Sequence, residues 1–185
     1  MIKKIFFIIF FLFFSASLNA SIKDKIIDNL NKTNNFSFEF TQTINDTNEN
    51  GYCIIEYPKK IFCSYDNKLK KIIVSNGKSL VIKNRSNNQY YIYSVNKTPL
   101  AFILDKKYLI KKINSLSFRV LDNKYYNFTL FEKENIINIF FDKNTLNLIG
   151  WQTEDIYQNL VITFISNVKI NRKIDKNVFR LPQIN

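Results

Sequence analysis

From Phe36 to Ser166 the chain is a succession of short apolar segments with a period of two, most of them closed by a polar turn. Phe36, Phe38 and Phe40 alternate with Ser37, Glu39 and Thr41, so the three rings share one face of a strand. Residues 45–51 read as a polar connection. Residues 52–57 and 61–65 read as two strands joined around Pro58-Lys59-Lys60. Asn76-Gly77 is the strongest hairpin signal, between strands expected at 71–75 and 79–84. A polar turn at 85–88 precedes a strand at 89–95. Strands resume at 116–121, 124–131, 135–141, 146–153 and 156–166, separated by short polar turns such as Asp122-Asn123 and Lys133-Glu134. Gly150 inside a strand signals a bulge or a bend. The tail holds further short pieces at 168–171 and 177–182. Strands this short with turns this tight pair with their sequence neighbours, as an antiparallel meander.

Two stretches break the pattern. Ile22, Ile26, Ile27 and Leu30 lie on one face of a helix over residues 21–32. In the middle of the chain, Pro99 suits a helix start with Thr98 as its N-cap, and 108–113 reads as a second short helix. A sheet of about ten or eleven strands curls strongly, and its concave face must be covered. The expected fold is therefore mainly β with some α: a strongly curved antiparallel sheet, or incomplete β-barrel, under a helical lid.

Met1-Ile-Lys-Lys4 followed by an apolar run from Ile5 to Phe14 reads as a secretory signal peptide over residues 1–20. Cleavage after Ala20 is the first expectation and cleavage after Ser17 the alternative. Residues 21–185 then form one domain, exported and without an N-terminal Cys to lipidate. The formal charge of +12 rests mostly on scattered Lys, with only four Arg: Arg85, Arg119, Arg172 and Arg180. Phosphate readers concentrate Arg on one face, so no nucleic-acid partner is expected, while a weak attraction to anionic membranes stays open. The chain has no His, which excludes Ser-His-Asp and Cys-His catalysis and any His-containing metal site. Carboxylates such as Glu56, Asp105 and Asp142 sit mostly in turns, so no catalytic residue, metal or cofactor is expected.

Cys53 and Cys63 stand symmetrically about Pro58. If Glu56 pairs with Lys60, Ile55 faces Ile61 and Cys53 faces Cys63, close enough for a disulfide. The alternative is two buried thiols acting as small apolar fillers.

Several of these pieces together resemble the LolA family of periplasmic outer-membrane lipoprotein carriers. Phe36, Phe40 and Gln42 match its first strand, and Gly51 the glycine that opens the second. Tyr57-Pro58 followed by Ile61-Phe62-Cys63 stands where the family has Arg-Pro and a Phe-Arg-Trp-like run. Ser75-Asn-Gly-Lys-Ser-Leu80, Thr98-Pro-Leu100 and Phe179 to Pro182 match in order. The resemblance implies a hydrophobic cavity under the lid that takes acyl chains. Inward parity then nominates Phe38, Phe40, Ile55, Ile61, Ile73, Val81, Tyr91 and Tyr93 for the cavity, and Leu100, Phe102, Ile103 and Leu104 for the lid. The family Arg that ties the lid is Tyr57 here, making Tyr57 the lid-latch position, with a hydroxyl able to reach a lid carbonyl. The implied partners are acylated lipoproteins, an inner-membrane ABC-type releasing complex and an outer-membrane acceptor, with the carrier a monomer. The competing expectations are a lipid- or lipoprotein-sensing periplasmic regulator, normally longer at its C-terminus, and the outer-membrane acceptor of the same fold, normally lipidated.

Overall fold

A computed structural model describes residues 21–132, 135–155 and 158–183. The leader expected over residues 1–20, the turn at Lys133-Glu134 and the strand start at Ile156 lie outside the described residues. The chain opens with α1 (Ile22–Lys32) and runs through β1 (Asn35–Ile44), β2 (Thr47–Glu56), β3 (Lys60–Tyr65), β4 (Lys71–Asn76), β5 (Ser79–Asn84) and β6 (Tyr90–Ser94). Two helices follow, α2 (Leu100–Ile103) and α3 (Lys106–Ser115). Then come β7 (Arg119–Leu121), β8 (Tyr125–Glu132), β9 (Asn135–Asp142), β10 (Leu148–Glu154) and β11 (Leu160–Ile170).

Among the described residues, eleven strands form one sheet in the order β6-β5-β4-β3-β2-β1-β11-β10-β9-β8-β7. Every pairing is antiparallel. Among the described strands, only β1 against β11 joins two that are not sequence neighbours. The sheet is not closed: β6 and β7 are its two edges, and α2 and α3 lie on the stretch of chain that runs from one edge to the other. The barrel is incomplete where the lid is inserted.

The turns explain the meander. Asn45-Asp46 and Asp122-Asn123 both place two consecutive residues at positive φ, 46° and 62° in the first and 49° and 53° in the second. That twist matches the flanking strands, in a two-residue loop between Ile44 and Thr47 and a three-residue loop between Leu121 and Tyr125, and Asn and Asp tolerate it. Gly77 takes φ 98° after Asn76, a value that favours glycine. The register of β9 against β10 slips between Leu148 and Gly150, giving the expected bulge.

Some expectations are corrected. Residues 45–51 are not a loop: the turn is two residues long and Thr47 to Gly51 pair fully with β1. Their polar side chains form rungs across the strands, Thr43 Oγ1 donating to Asn48 Oδ1 at 2.7 Å and Thr41 Oγ1 to Asn50 Oδ1 at 2.8 Å. The strand expected at 116–121 shrinks to Arg119–Leu121, and the piece at 168–171 is largely the end of β11. Thr98 does not cap α2, because its hydroxyl donates back to the Val95 carbonyl at 2.8 Å and Pro99 holds the cap position.

One face of the sheet carries the core and the helices, here called the inner face. The outer face of β3 and β4 is covered by the tail. A short 3-10 turn over Lys176–Phe179 buries Phe179 there, and Lys83 Nζ reaches the Gln183 carbonyl at 2.9 Å. That cover makes β4 and β5 apolar on both faces. It also corrects the parity of Val81, which pairs with Val74 and Ile92, opposite in face to the inner residues Leu80 and Ile82.

Candidate functional site: an apolar interior and its lid

The inner face of the first half-sheet is lined by Phe36, Phe38 and Phe40 from β1, with Ile55 and Ile61 from the β2–β3 hairpin, all buried. Ile55 pairs with Ile61, Cys53 with Cys63 and Glu56 with Lys60. Cys53 and Cys63 are joined by a disulfide, their Cα atoms 4.1 Å apart. The second half-sheet, which sequence reasoning left out of the interior, contributes as much. Phe128, Leu130, Ile137, Ile139, Phe141 and Trp151 are buried in the same cluster. Phe38 meets Trp151 edge-on at 6.2 Å, which ties the two halves together across the lining. Ile73 and Tyr93 are half-buried against this cluster. Tyr91 shares their parity but sits on the edge strand and is 46% exposed.

Phe40 lies over Gly51, its direct strand partner. A Cβ on Gly51 would meet the Ser64 carbonyl oxygen at 2.2 Å and the Phe40 ring at 2.8 Å. The glycine is what lets this ring fold flat into the interior.

The helices fill the space above. Ile26 and Leu30 of α1, Ala101 and Ile103 of α2, Leu104, and Leu109 and Ile113 of α3 are all buried in the common cluster. Leu100 and Phe102 are half-buried against it, with the Phe102 ring 5.2 Å from that of Tyr108. Burying each of these Ile and Leu side chains contributes roughly 1.5–3 kcal/mol. The lid holds the interior by occupying it. Among the described openings into the interior is a cleft of about 30 Å³, lined by Asn29, Leu30, Thr33, Phe36, Tyr57, Phe141, Leu146, Asn147, Leu148, Val168 and Ile170. That admits only about one or two waters, far less than the roughly 300 Å³ or more of a typical ligand site. In this structure the interior is packed by the protein's own side chains.

Polar ties hold the lid in place. The Lys59 amide donates to the Leu104 carbonyl at 2.8 Å. The Lys59 ammonium donates to Asn96 Oδ1 at 3.0 Å and pairs with Asp105 Oδ2 at 3.4 Å. Asp105 in turn caps α3 by accepting from the Tyr108 amide at 3.1 Å. Lys106, at the start of α3, donates to the carbonyls of Asn31 at 3.2 Å and Thr33 at 2.8 Å, at the end of α1. Lys23, near the start of α1, donates to the carbonyls of Asn114 at 2.9 Å and Leu116 at 3.4 Å, at the end of α3. The two helices thus clamp each other reciprocally. Lys112 of α3 pairs with Glu132 of β8. The Lys112 ammonium, with the Tyr108 hydroxyl second, holds the Glu132 carboxyl below its ordinary range.

Tyr57, the expected latch position, lines the cleft. Its amide donates to the Asn34 carbonyl at 3.0 Å. Its ring packs 5.9 Å from that of Phe36 and lies 5.8 Å from the Lys106 ammonium. Burial raises its hydroxyl above the ordinary phenol range. The bonds to the lid come from Lys59, two residues on. Sequence reasoning missed Lys59, Lys23, Lys106 and Glu132. One signal was available: a Lys in the first turn of a helix opposes the macrodipole, so Lys23 and Lys106 ask for a partner beyond their own helix.

The family model described as "Outer membrane lipoprotein carrier protein LolA" matches residues 31–182. No curated protein matches the chain. Among solved structures, an uncharacterized conserved protein from Thermus thermophilus superposes with a TM-score of 0.51 at 9% identity, covering 88% of this chain and 93% of that one. The MucA/MucB complex of Pseudomonas aeruginosa gives 0.50 at 9% identity, covering 89% and 63%. A LolA superfamily protein from Nitrosomonas europaea gives 0.44 at 9% identity, covering 88% and 99%. At these identities the likeness to solved structures is one of fold.

Proposed function

The chain belongs to the LolA family, and from that membership we propose that it is a periplasmic carrier for the acyl chains of lipoproteins. It would take them from an inner-membrane ABC-type releasing complex and deliver them to an outer-membrane acceptor. The observation that carries this reading is the apolar interior filled by a lid whose own Ile and Leu side chains take the place of ligand. Each acyl CH₂ shielded from water is worth about 0.8 kcal/mol, so a preformed empty cavity would hold a lipoprotein too tightly to release it. A lid that must be displaced lowers the net affinity by its own packing energy. Binding and release can then both be reached. The signal peptide over residues 1–20 is part of the same proposal.

The test is isolation of the mature protein from the periplasm and mass spectrometry of what co-purifies. Acylated lipoproteins are the expected result. If neither lipoproteins nor acylated lipids bind even when the releasing complex is supplied, the proposal fails. The fold shared with the MucA/MucB structure favours a second reading, a sensor that binds a periplasmic protein segment. A co-purifying unacylated partner would support that reading instead.

A further inference from the structure

We infer that the cleft beneath the last turn of α1 is the portal through which an acyl chain reaches the interior, and that Lys106 is its gate. This deepens the carrier reading and rests on it. Phe36, Phe141 and Leu148 line the cleft opposite α1, and Leu30 lines it from α1. These same residues belong to the buried cluster that holds Ile103, Leu104, Leu109 and Ile113 of the lid. The cleft thus borders the same packed cluster that the lid completes. Its rim carries Val168 and Ile170, which are 36% and 39% exposed.

The lining selects the occupant. It contains no charged side chain, and its polar rim is amide and hydroxyl. The Asn29 amide is already spent on the β9–β10 turn, donating to the carbonyls of Thr145 at 3.2 Å and Leu146 at 3.4 Å. A hydrocarbon chain can lie in such a cleft without stranding a charge, whereas a carboxylate or phosphate head would lose its hydration unless it drew Lys106 off the carbonyls it holds. The head stays outside and the chain goes in.

The roof of the cleft is the end of α1, where Asn29, Leu30 and Thr33 face it. Two groups hold that end down through its free carbonyls. Asn171 donates to the Lys32 carbonyl at 2.7 Å. Lys106 donates to those of Asn31 and Thr33 and reaches over the Tyr57 ring. Lys106 belongs to the lid, so movement of α3 removes its tie on the roof of the portal at the same moment as it vacates the interior, while the Asn171 tie stays in place. The chain's path and the space it needs open together.

The experiment uses the full mature protein and a doxyl-labelled long-chain fatty acid as the probe. Native Trp151, buried beside Phe38, reports arrival in the interior. A bimane on Val168→Cys reports the rim, with Ile170→Cys as a second rim position. Ile92→Cys on the outer face of edge strand β6, 57% exposed, is the control. The expected result is quenching at the rim no later than at Trp151, with Ile92→Cys unchanged. Lys106→Met, which keeps the stem and removes the ammonium, should speed quenching of Trp151 severalfold. Quenching of Trp151 without quenching at either rim position overturns the portal, and an unchanged rate in Lys106→Met overturns the gate; both leave the carrier reading standing. Absence of quenching at Trp151 in every variant would sink the carrier reading together with the portal.

Discussion

Gly51 is the position where a single atom decides the interior. Its missing side chain admits the Phe40 ring, and the nearest obstacle to a Cβ is the Ser64 main-chain oxygen, which cannot rotate away. Gly51→Ala should therefore cost about 3 kcal/mol, the upper range for overpacking, read as a lower urea midpoint at unchanged slope. Phe40→Ala should not restore it, because the backbone contact remains. Lys59 behaves differently. Its ammonium and Asp105 are each nearly a third exposed, so Lys59→Met should cost only about 0.2–1 kcal/mol of global stability. Its effect belongs to the lid. Hydrogen exchange of the α2 amides should quicken while that of β1 and β11 stays slow, and equal quickening everywhere would show that Lys59 is merely part of the general fold. Neither residue was equally legible beforehand. Gly51 stood out as a glycine opening a strand, whereas a lysine in a turn reads as solvated charge until the fold brings Asn96 and Asp105 to it.

At the scale of elements, the strands were legible because period two and tight turns act locally. The pairing Cys53 to Cys63 followed from the symmetry of one hairpin about Pro58, and the register is the one that symmetry demands. Removing that bond with Cys53→Ser and Cys63→Ser should cost roughly 2–3 kcal/mol from the short loop it closes. Denaturation with and without reductant measures it. The helices were legible as apolar faces but not in their mutual arrangement. Lys23 and Lys106 clamp α1 to α3 across a long stretch of sequence, and nothing local encodes which carbonyls they meet. Val81 misled for a related reason: β5 is apolar on both faces because a distant tail covers the outer one. The anchoring of α3 to β8 carries a pH dependence of fixed sign. Glu132 is held below the ordinary Glu range by Lys112 first and Tyr108 second. A carboxyl lowered on folding adds stability that is present above its unfolded pKa, about 4.3. That stability is lost as pH falls through the folded value. Acidification below about pH 4 should loosen α3 in the native protein. In Glu132→Gln the α3 amides should already exchange faster at neutral pH and change little on acidification. A wild-type acid transition retained in full by Glu132→Gln would place it on another carboxylate.

For the whole molecule, the sheet stops short of closing and the chain spends the gap on a lid. The stretch from β6 to β7 runs between the two open edges, so the part of the chain that would complete a barrel carries the helical lid instead. Under the carrier proposal, stability and ligand affinity draw on the same surface. Side chains such as Leu104, fully buried in the core, would stabilise the lid in place and oppose the ligand in equal measure. Leu104→Ala should lower the stability of the free protein by about 2–5 kcal/mol, as core truncations do. If the acyl chain replaces the lid, the truncated lid is also easier to displace. The melting temperature of the variant should then rise more on adding acylated ligand than that of the wild type, by linkage between binding and folding. An ordinary core residue gives the opposite pattern, since loosening the core spoils the site and the stabilisation by ligand shrinks with it. Phe128, fully buried on β8, is the matched control: Phe128→Ala should lose stability and ligand response together. Parallel loss in both variants would mean that Leu104 is plain core and that the lid does not trade places with the chain it admits.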